Sequence, residues 1–292
     1  MRMPHIWICK GLSDSEDVFA VMRKYPRGMR PSTLVERREF YTREFDVGAV
    51  THWAAGRRGM RFAMIPGRHT GIVAPEHAAN RDDVMIIDDW SSIGQIRDHA
   101  LDYLPEGLYY DRNRYDDTSA CSICTKSARA CERCGNRVGQ QLAFDLDPEN
   151  VDCPYHGTIG DKMARGRGLS FCMLEFKNVR GQAVCLASEL RRRFKLVEIV
   201  YSGRGFHVVV DDEDAYSMTL KERRRLAVDV AKRYAIDPWV TSGGSRLMRL
   251  PGSLNGIVSR NCVVMKQEED LVRFDPRTSS SVMPRFLRSS RP

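Results

Sequence analysis

An apolar strand that ends in two carboxylates constrains this chain more than any other feature of its sequence. Residues 141–148 are Gln-Leu-Ala-Phe-Asp-Leu-Asp-Pro, and their alternating apolar side chains are typical of a buried strand. Asp145 and Asp147 are two residues apart, so both carboxylates point to one face, and Pro148 ends the strand beside them. Like charges roughly 7 Å apart along a strand repel unless a cation lies between them. The stretch therefore predicts a divalent-metal site that needs further ligands, and the alternative is a solvated turn.

The bulk properties indicate a soluble, cytoplasmic protein with an anionic partner. The 292 residues fit one large domain or two modest ones. Their sequence contains no apolar stretch near the ~20 residues of a membrane span, and the first ten residues are too short and too polar for a signal peptide. A net charge of +8 favours nucleic acid over a membrane surface as the partner.

Four of the nine cysteines are spaced as a zinc site. Nine cysteines in a cytosolic chain indicate metal binding or free thiols rather than disulfides. Cys121 and Cys124 form one CxxC pair, Cys131 and Cys134 form a second, and together the pairs can complete a tetrahedron around structural Zn²⁺. Redox-active dithiols are the alternative interpretation.

A second group of metal-binding residue types follows the acidic strand. Cys153 and His156 form another chelating pair, which Cys172 can join. The sequence shows no obvious fourth ligand for a second zinc ion in this group.

The wider pattern of elements mixes helices with hairpins, which indicates the α+β class. Strands are predicted at His5–Cys9, Met60–Pro66, Leu108–Tyr110, Leu196–Tyr201, Phe206–Val210, Leu247–Leu250 and Cys262–Lys266, and helices from Ser15 and over Ser32–Glu44, Ser92–Leu104, Gln182–Phe194 and Thr219–Tyr234.

A glycine-rich turn between two of these strands has the composition of a phosphate-binding loop. Gly203 and Gly205 allow the backbone to approach an anion closely and to present N–H groups. Ser202 can donate a hydroxyl, Arg204 offers a bidentate fork, and His207 adds a further donor. An ordinary basic hairpin turn is the alternative.

A third carboxylate and two arginines follow in the chain. Asp237 precedes a predicted strand that carries Arg246 and Arg249. Together with the acidic pair and the hairpin, these residues supply what nucleotidyl transfer needs. Three carboxylates can hold two Mg²⁺ or Mn²⁺ ions about 4 Å apart, to activate a 3′-hydroxyl and to neutralise a leaving pyrophosphate. Arg204, His207 and Arg249 would hold the triphosphate in line.

The order of these motifs resembles the catalytic small subunit of archaeal–eukaryotic DNA primases. The resemblance rests on Phe-Asp-Leu-Asp at 144–147, Ser-Gly-Arg-Gly-Phe-His at 202–207, and Asp-x-x-Val-Thr at 237–241 followed by Arg-Leu-Met-Arg-Leu-Pro-Gly-Ser-Leu at 246–254. Upstream it includes Arg-Glu-Phe-Tyr at 38–41, Arg-Phe at 61–62 and residues 108–115. It covers residues 32–266.

The resemblance implies a primase fold with an RRM-like catalytic core, an additional N-terminal α/β unit and a small zinc-binding insertion. On this basis residues 1–276 form the catalytic domain, 118–138 form the insertion within it, and 277–292 form a basic flexible tail. Asp145, Asp147 and Asp237 match the metal-binding acids of the family. The nucleotide-binding residues that it implies are Ser202, Gly203, Arg204, Gly205, His207, Arg249 and Arg61.

The activity implied is template-directed synthesis of short primers from nucleoside triphosphates on single-stranded DNA, in a family whose large subunit generally supports initiation. The chain also departs from the family. Asn255 stands where a phosphate-contacting histidine is common, the hairpin is one residue shorter, and the four-cysteine module precedes the acidic strand.

Three alternatives are open from the sequence. One is a stand-alone primase-polymerase or repair polymerase of the same superfamily. Another is a catalytically idle, zinc-containing subunit that binds nucleic acid. The third is a glycosyltransferase that uses the Asp-x-Asp pair alone.

Overall fold

Two four-stranded antiparallel sheets form the framework of the molecule. The computed structural model describes residues 24–57, 59–87, 90–118, 134–243, 247–266 and 271–288. Within these ranges the strands are β1 Phe62–Ile65, β2 Met85–Ile87, β3 Gly107–Asp111, β4 Asn113–Tyr115, β5 Arg137–Gln140, β6 Leu142–Leu146, β7 Val197–Tyr201, β8 Phe206–Val210, β9 Leu247–Arg249, β10 Leu254–Asn255, β11 Arg260–Asn261 and β12 Val263–Met265. The α-helices described are α1 Leu34–Arg43, α2 Val47–Ala54, α3 Ile93–Tyr103, α4 Ile159–Ala164, α5 Met173–Leu190, α6 Glu213–Tyr216, α7 Leu220–Ala231, α8 Pro238–Thr241 and α9 Arg285–Arg288.

The first sheet has the strand order β2-β1-β3-β9, and the second has the order β12-β7-β8-β6. Every pairing within both sheets is antiparallel. In the first sheet Tyr109 lies opposite Arg249, and in the second Asp145 lies opposite His207. Two ribbons, β4-β5 and β10-β11, complete the β structure of the described residues. The combination confirms the expected mixed α+β class.

The second sheet is shared by two hydrophobic cores, because its strands bury apolar side chains on both faces. Phe144 and Val208 belong to the core that includes helix α5, while their neighbours Ala143 and Val209 belong to the core of the first sheet. Since successive side chains of a strand alternate between faces, one strand can serve both cores. The second sheet therefore joins the N-terminal and C-terminal parts of the chain.

Capping residues set the starts of three helices. Thr33 and Thr219 each form a capping box, with Glu36 and Glu222, and Ser92 caps α3 through its side chain. The predicted strands and helices that fall on described residues are confirmed, and most of their ends agree to within a few residues. Helix α5 differs most, since it begins at Met173 instead of Gln182.

The prediction of a basic flexible tail from residue 277 is wrong for the described residues 277–288. Val282, Met283 and Phe286 are buried, and α9 forms within this segment. The backbone N–H of Arg285 donates to the Glu44 carboxylate at 2.9 Å, which ties the segment to α1. The apolar residues spaced along this basic segment therefore pack it against the rest of the described structure.

Several predicted features lie outside the described residues. They are the strand His5–Cys9, the helix from Ser15, Arg246, and Cys121, Cys124 and Cys131 of the predicted zinc insertion. Cys134 is described and lies just before β5 as a partly exposed thiol. No helix among the described residues is both long enough and apolar enough to cross a membrane.

Candidate active site

A polar cavity of about 150 Å³ lies where the ends of the two sheets meet. It brings together residues from β6, the β7–β8 turn, β9 and β10. The predicted site residues that line it are Asp145, Asp147, Ser202, Arg204, His207, Arg249 and Asn255. It is also lined by His69, Tyr109, Leu169, Leu247, Met248 and Ile257.

Asp145 of β6 and Asp147, which directly follows the strand, are both mostly buried. Each of Asp145 and Asp147 keeps 21% of its side chain exposed. Oδ1 of Asp145 is buried without a hydrogen-bond partner and lies 3.6 Å from Nε2 of His207. Burial, and then repulsion from Asp147, raises the pKa of Asp145 well above its ordinary value. An unpartnered buried carboxylate oxygen beside a second carboxylate fits a divalent cation, because such ions take oxygen ligands.

Asp237 adjoins Asp145 through its backbone, although it is not among the residues that line the cavity. Its backbone N–H donates to the carbonyl oxygen of Asp145 at 2.8 Å, so α8 is joined directly to β6. Its carboxylate caps α8 by accepting the N–H of Trp239 through Oδ1 at 2.8 Å. Repulsion from Asp237 contributes to the raised pKa of Asp145, which shows that the three acids share one electrostatic environment.

The β7–β8 turn is closed by its own serine. Oγ of Ser202 accepts the N–H of Gly205, and the N–H of Ser202 donates to the carbonyl of Gly205, both at 3.0 Å. Gly203 has φ +94°, which favours glycine, and a Cβ there would lie 2.4 Å from Cβ of Asn255. The Asn255 amide donates to the carbonyl of Ser202 at 2.9 Å and accepts the N–H of Ile257 at 3.2 Å. Asn255 therefore holds the turn in place.

Gly205 allows the turn to lie against the acidic strand. A Cβ at this position would be 2.4 Å from the carbonyl oxygen of Leu146 and 2.7 Å from Oδ1 of Asp147. Neither the backbone nor the carboxylate can move away without disturbing the acidic pair.

We expect Gly205→Ala to displace the turn and to reduce activity at this site by at least about 10²-fold, since small misplacements at a reacting centre have effects of that size. Gly181→Ala is the matched control, because a Cβ on this exposed glycine of α5 meets no atom within 4 Å. The control should keep full activity and be slightly more stable, as alanine is the better helix former. Steady-state activity and thermal unfolding of both variants check the prediction. Equal activity of the two variants would contradict it.

Arg204 bridges two carboxylates in this structure. Its Nη2 lies 2.7 Å from Asp147 and 2.5 Å from Glu149, while its Nη1 is buried without a hydrogen-bond partner. The two acids keep the pKa of Arg204 above its ordinary value in spite of burial. Burial raises the pKa of Glu149 to about 7, with Arg204 opposing the change and Asp147 adding to it. The guanidinium therefore stays charged at the edge of the cavity.

Arg249 reaches the cavity from the other sheet. Its Nη2 donates to the hydroxyl of Tyr109 at 2.9 Å, and its guanidinium carbon lies 4.8 Å from the centre of the Tyr109 ring. Nη1 of Arg249 is buried without a hydrogen-bond partner. A buried cation with an unused donor is suited to an anionic ligand.

Two histidines of the cavity are biased toward the neutral form. Burial lowers the pKa of His207 to about 4, with Asp147 opposing the change and Arg249 adding to it. Burial also lowers the pKa of His69, against the opposing charge of Glu106. Glu106 fixes the His69 loop by accepting the N–H of His69 at 3.0 Å and the N–H of Thr70 at 2.9 Å.

Arg61 lies elsewhere in the structure. Its side chain is buried, and its guanidinium carbon lies 5.2 Å from the centre of the Tyr115 ring, in a packing contact. The structure therefore does not place this predicted nucleotide-binding residue on the cavity, and the predicted Gly203 and Gly205 belong to the adjoining turn without lining the cavity themselves.

The second predicted metal group is brought together, and it gains a fourth member. Cys153, His156, Cys172 and Glu175 are all buried, and their ligand atoms lie within 4.8 Å of one another. The two sulfurs are 3.9 Å apart, close to the ~3.8 Å that two thiolates at Zn–S distances of ~2.3 Å span in a tetrahedron. Glu175 accepts the N–H of Cys172 at 2.6 Å and lies 3.1 Å from Nδ1 of His156. The donor set fits one tetrahedral zinc ion.

Lys162 is paired with the carboxylate of this cluster. It is buried, forms an ion pair with Glu175, and donates to the carbonyl oxygen of Glu149 at 3.0 Å. The cluster is thereby connected to the segment that directly follows the acidic strand.

Comparison with known proteins identifies the family of the chain. An uncharacterized DNA primase small subunit-like protein of Archaeoglobus fulgidus is 50% identical over 269 residues, which span 91% of this chain and 95% of the relative. The chain belongs to the DNA primase small subunit-like family. The resemblance inferred from the ordered motifs is thus confirmed.

More distant members of the primase small subunit family cover less of the chain. The DNA primase small subunit PriS of Pyrobaculum calidifontis is 27% identical over 51% of this chain and 43% of its own length. PriS of Thermococcus kodakarensis is 28% identical over 39% of this chain and 34% of its own length. A comparison with protein-family models gives no match.

Sequence reasoning missed several residues of the cavity, of its surroundings and of the cysteine and histidine cluster in this primase small subunit-like chain. Glu149 could have been predicted from the sequence, because it lies two residues beyond Asp147 and continues the acidic series. Glu175 could also have been predicted, because it lies three residues after Cys172, and residues i and i+3 at the start of a helix lie on the same side. No local sequence pattern indicates His69 or Tyr109. These residues reach the cavity only through strand pairing and loop packing in the first sheet.

Proposed function

We propose that this chain is the catalytic subunit of a template-directed DNA primase. It would synthesise short oligonucleotide primers from nucleoside triphosphates on single-stranded DNA. The observation that carries the proposal is the buried, unpartnered oxygen of Asp145 beside Asp147, in one cavity with Arg204, His207 and Arg249. Clustered carboxylates opposite clustered cations are what phosphoryl transfer with a triphosphate requires.

The fold that we propose is the archaeal–eukaryotic primase fold. The second sheet with α5 would correspond to the RRM-like catalytic core, and the first sheet with α1–α3 to the additional N-terminal α/β unit. We propose one catalytic domain that includes the packed segment 277–288, with the zinc-binding insertion at 118–138.

Asp145, Asp147 and Asp237 would hold two Mg²⁺ or Mn²⁺ ions. When bound, such ions lower the pKa of an attacking 3′-hydroxyl and neutralise the leaving pyrophosphate. The unpartnered Oδ1 of Asp145 supports this assignment, and so does the raised pKa that a cation would reverse. Cys153, His156, Cys172 and Glu175 would hold a structural zinc ion that braces the segment after β6.

The triphosphate would be oriented by the turn and by β9. Gly203 and Gly205 bring the turn close enough for its backbone to reach phosphate oxygens. The unused guanidinium donors of Arg204 and Arg249 would bind those oxygens from opposite sides of the cavity. The neutral ring of His207 can donate one N–H, and the Ser202 hydroxyl one more, so the reacting groups are aligned without reorganisation.

The deciding experiment is de novo primer synthesis by this chain alone on single-stranded DNA, with Mg²⁺ or Mn²⁺. Short products are expected from the wild-type chain and none from Asp145→Ala/Asp147→Ala, while Asp229→Ala on exposed α7 should behave as wild type. Full synthesis by the double variant would overturn the proposal.

Two further arms of this assay address related functions. Extension of a supplied primer without de novo initiation, tested with ribo- and deoxyribonucleotides separately, would indicate a repair polymerase of the same superfamily. Absence of metal-dependent triphosphate binding would indicate an idle subunit. If primers form only when a primase large subunit is added, initiation is an activity of the two-subunit complex.

Arg249→Lys is expected to raise the KM for the triphosphate and to lower kcat/KM by about 10- to 100-fold, because hydrogen bonds to charged groups contribute about 1.5–3 kcal/mol. Lysine keeps the charge but loses the planar fork that binds Tyr109 and leaves Nη1 for the ligand. The exposed Arg224→Lys is the control. Equal kinetic constants for the two variants would remove Arg249 from the proposed site.

A further inference from the structure

Trp239 is a large aromatic side chain held in solvent beside the acids. It lies on α8, two residues after Asp237, and 65% of it is exposed. Single exposed apolar residues are common on protein surfaces and need no function by themselves. Two features of its setting distinguish Trp239 from such residues.

The first feature is the rigid attachment of α8 to the acidic strand. The N–H of Trp239 donates to Asp237, and the N–H of Asp237 donates to the carbonyl oxygen of Asp145, each at 2.8 Å. The fully buried Arg112 donates to the carbonyl oxygens of Val240 at 2.7 Å and Gln141 at 2.8 Å. The turn that carries the indole is thereby fixed at both ends of β6, so its backbone has little conformational freedom to lose on binding.

The second feature is the side of the acids on which Trp239 lies. β6 is an edge strand of the second sheet and pairs with β8, and the glycine-rich turn at 202–205 lies on that paired side. The carbonyl oxygen of Asp145 faces the opposite edge, where it accepts the N–H from α8. Trp239 and the turn therefore flank the acids from opposite sides.

In nucleotidyl transfer the attacking and leaving oxygens lie roughly in line on opposite sides of the phosphorus. If the turn holds the triphosphate, the leaving pyrophosphate is on the β8 side. The nucleotide that supplies the 3′-hydroxyl is then on the α8 side, next to Trp239.

We propose that Trp239 stacks on the base of the nucleotide that carries the attacking 3′-hydroxyl. This nucleotide is the initiating nucleotide in the first step and the 3′ end of the growing strand afterwards. The indole offers a sequence-tolerant surface, because every base has a π-face. The assignment rests on the proposed function, since it takes the turn as the triphosphate site.

The test compares Trp239→Ala with Trp239→Phe, which keeps an aromatic face. Val228→Ala, at an equally exposed position on the neighbouring helix α7, is the control. Two quantities are measured. One is the affinity for a fluorescently labelled primer–template without nucleotide, by anisotropy, and the other is the pair of KM values for primer–template and for triphosphate during extension.

Trp239→Ala is expected to weaken primer–template binding and to raise its KM by about 5- to 150-fold, the range of one base–aromatic stack. For Trp239→Phe, the affinity and the KM for primer–template should stay within a few-fold of the wild-type values. The KM for triphosphate should be unchanged in both variants. Wild-type values for Trp239→Ala, equal losses in both variants, or a change confined to the triphosphate KM would each overturn the inference.

The two proposals fail in different ways. A wild-type chain that extends no primer but binds primer–template in a Trp239-dependent manner contradicts the proposed function and supports the stacking surface. A wild-type chain that synthesises primers de novo, and whose Trp239→Ala variant extends primers equally well, keeps the function and removes the stacking surface.

Discussion

Replacing Asp145 with asparagine is expected to stabilise the metal-free protein and to abolish primer synthesis. Oδ1 of Asp145 is buried without a partner, and burial and the nearby acids raise the pKa of this carboxyl. A neutral amide of the same shape removes the unfavourable charge, which is expected to add about 1–2 kcal/mol, or a few degrees in Tm. The same change removes a proposed metal ligand, and kcat should fall by about 10³-fold or more.

The pH dependence of stability gives an independent check on Asp145. Because its pKa is raised on folding, the folded state binds more protons than the unfolded state above the ordinary carboxyl range. The stability of the metal-free wild type should therefore fall as the pH rises through that window. Asp145→Asn should flatten this slope, and Mn²⁺ should stabilise only the wild type. The exposed Asp229→Asn is the control, and a lower Tm for Asp145→Asn would contradict the prediction.

Loss of the cysteine and histidine cluster is expected to be the most destabilising change outside the hydrophobic cores. Cys172→Ser should remove one zinc ion per chain and lower the free energy of unfolding by more than about 3 kcal/mol, because binding energy at structural zinc sites is folding energy. Metal analysis and denaturant unfolding of the purified chain measure both effects. Cys185→Ser is the matched control, since Cys185 is an exposed thiol on the same helix.

The zinc experiment also separates the two predicted metal groups. Cys134→Ser should cost a second zinc ion if the four-cysteine module binds metal, with the ion at Cys153 and Cys172 retained. A chain that keeps its zinc content and its stability in Cys172→Ser would show that the cluster holds no metal.

Local sequence predicted the parts of the site that depend on neighbours in the chain. The strand period placed Asp145 and Asp147 together, and the glycines predicted the turn that Ser202 closes. Asn255 and Arg204 show the limit of this reasoning. Asn255 supports the turn through the carbonyl of Ser202, and Arg204 is shared by Asp147 and Glu149. Such partners are set by packing between strands that are distant in sequence.

The same limit explains the misplaced elements. The sequence predicted the start of α5 at Gln182, whereas the helix begins at Met173 and runs through Gly181. Burial of Phe176 and Val179 in the core outweighs the ~1 kcal/mol that a helical glycine costs. The basic segment after residue 277 is similar, because burial of Val282 and Phe286 outweighs its polar composition.

The sharing of the second sheet by two hydrophobic cores has a thermodynamic consequence. Neither core can open while the other keeps its packing, because both would lose contacts through Ala143, Phe144 and Val209. The strand that carries Asp145 thus belongs to a strongly protected cooperative unit, and the amide protons that join β6 to β8 should exchange only through global unfolding. The spacing of the carboxylates is then preserved up to the temperature at which the whole fold melts.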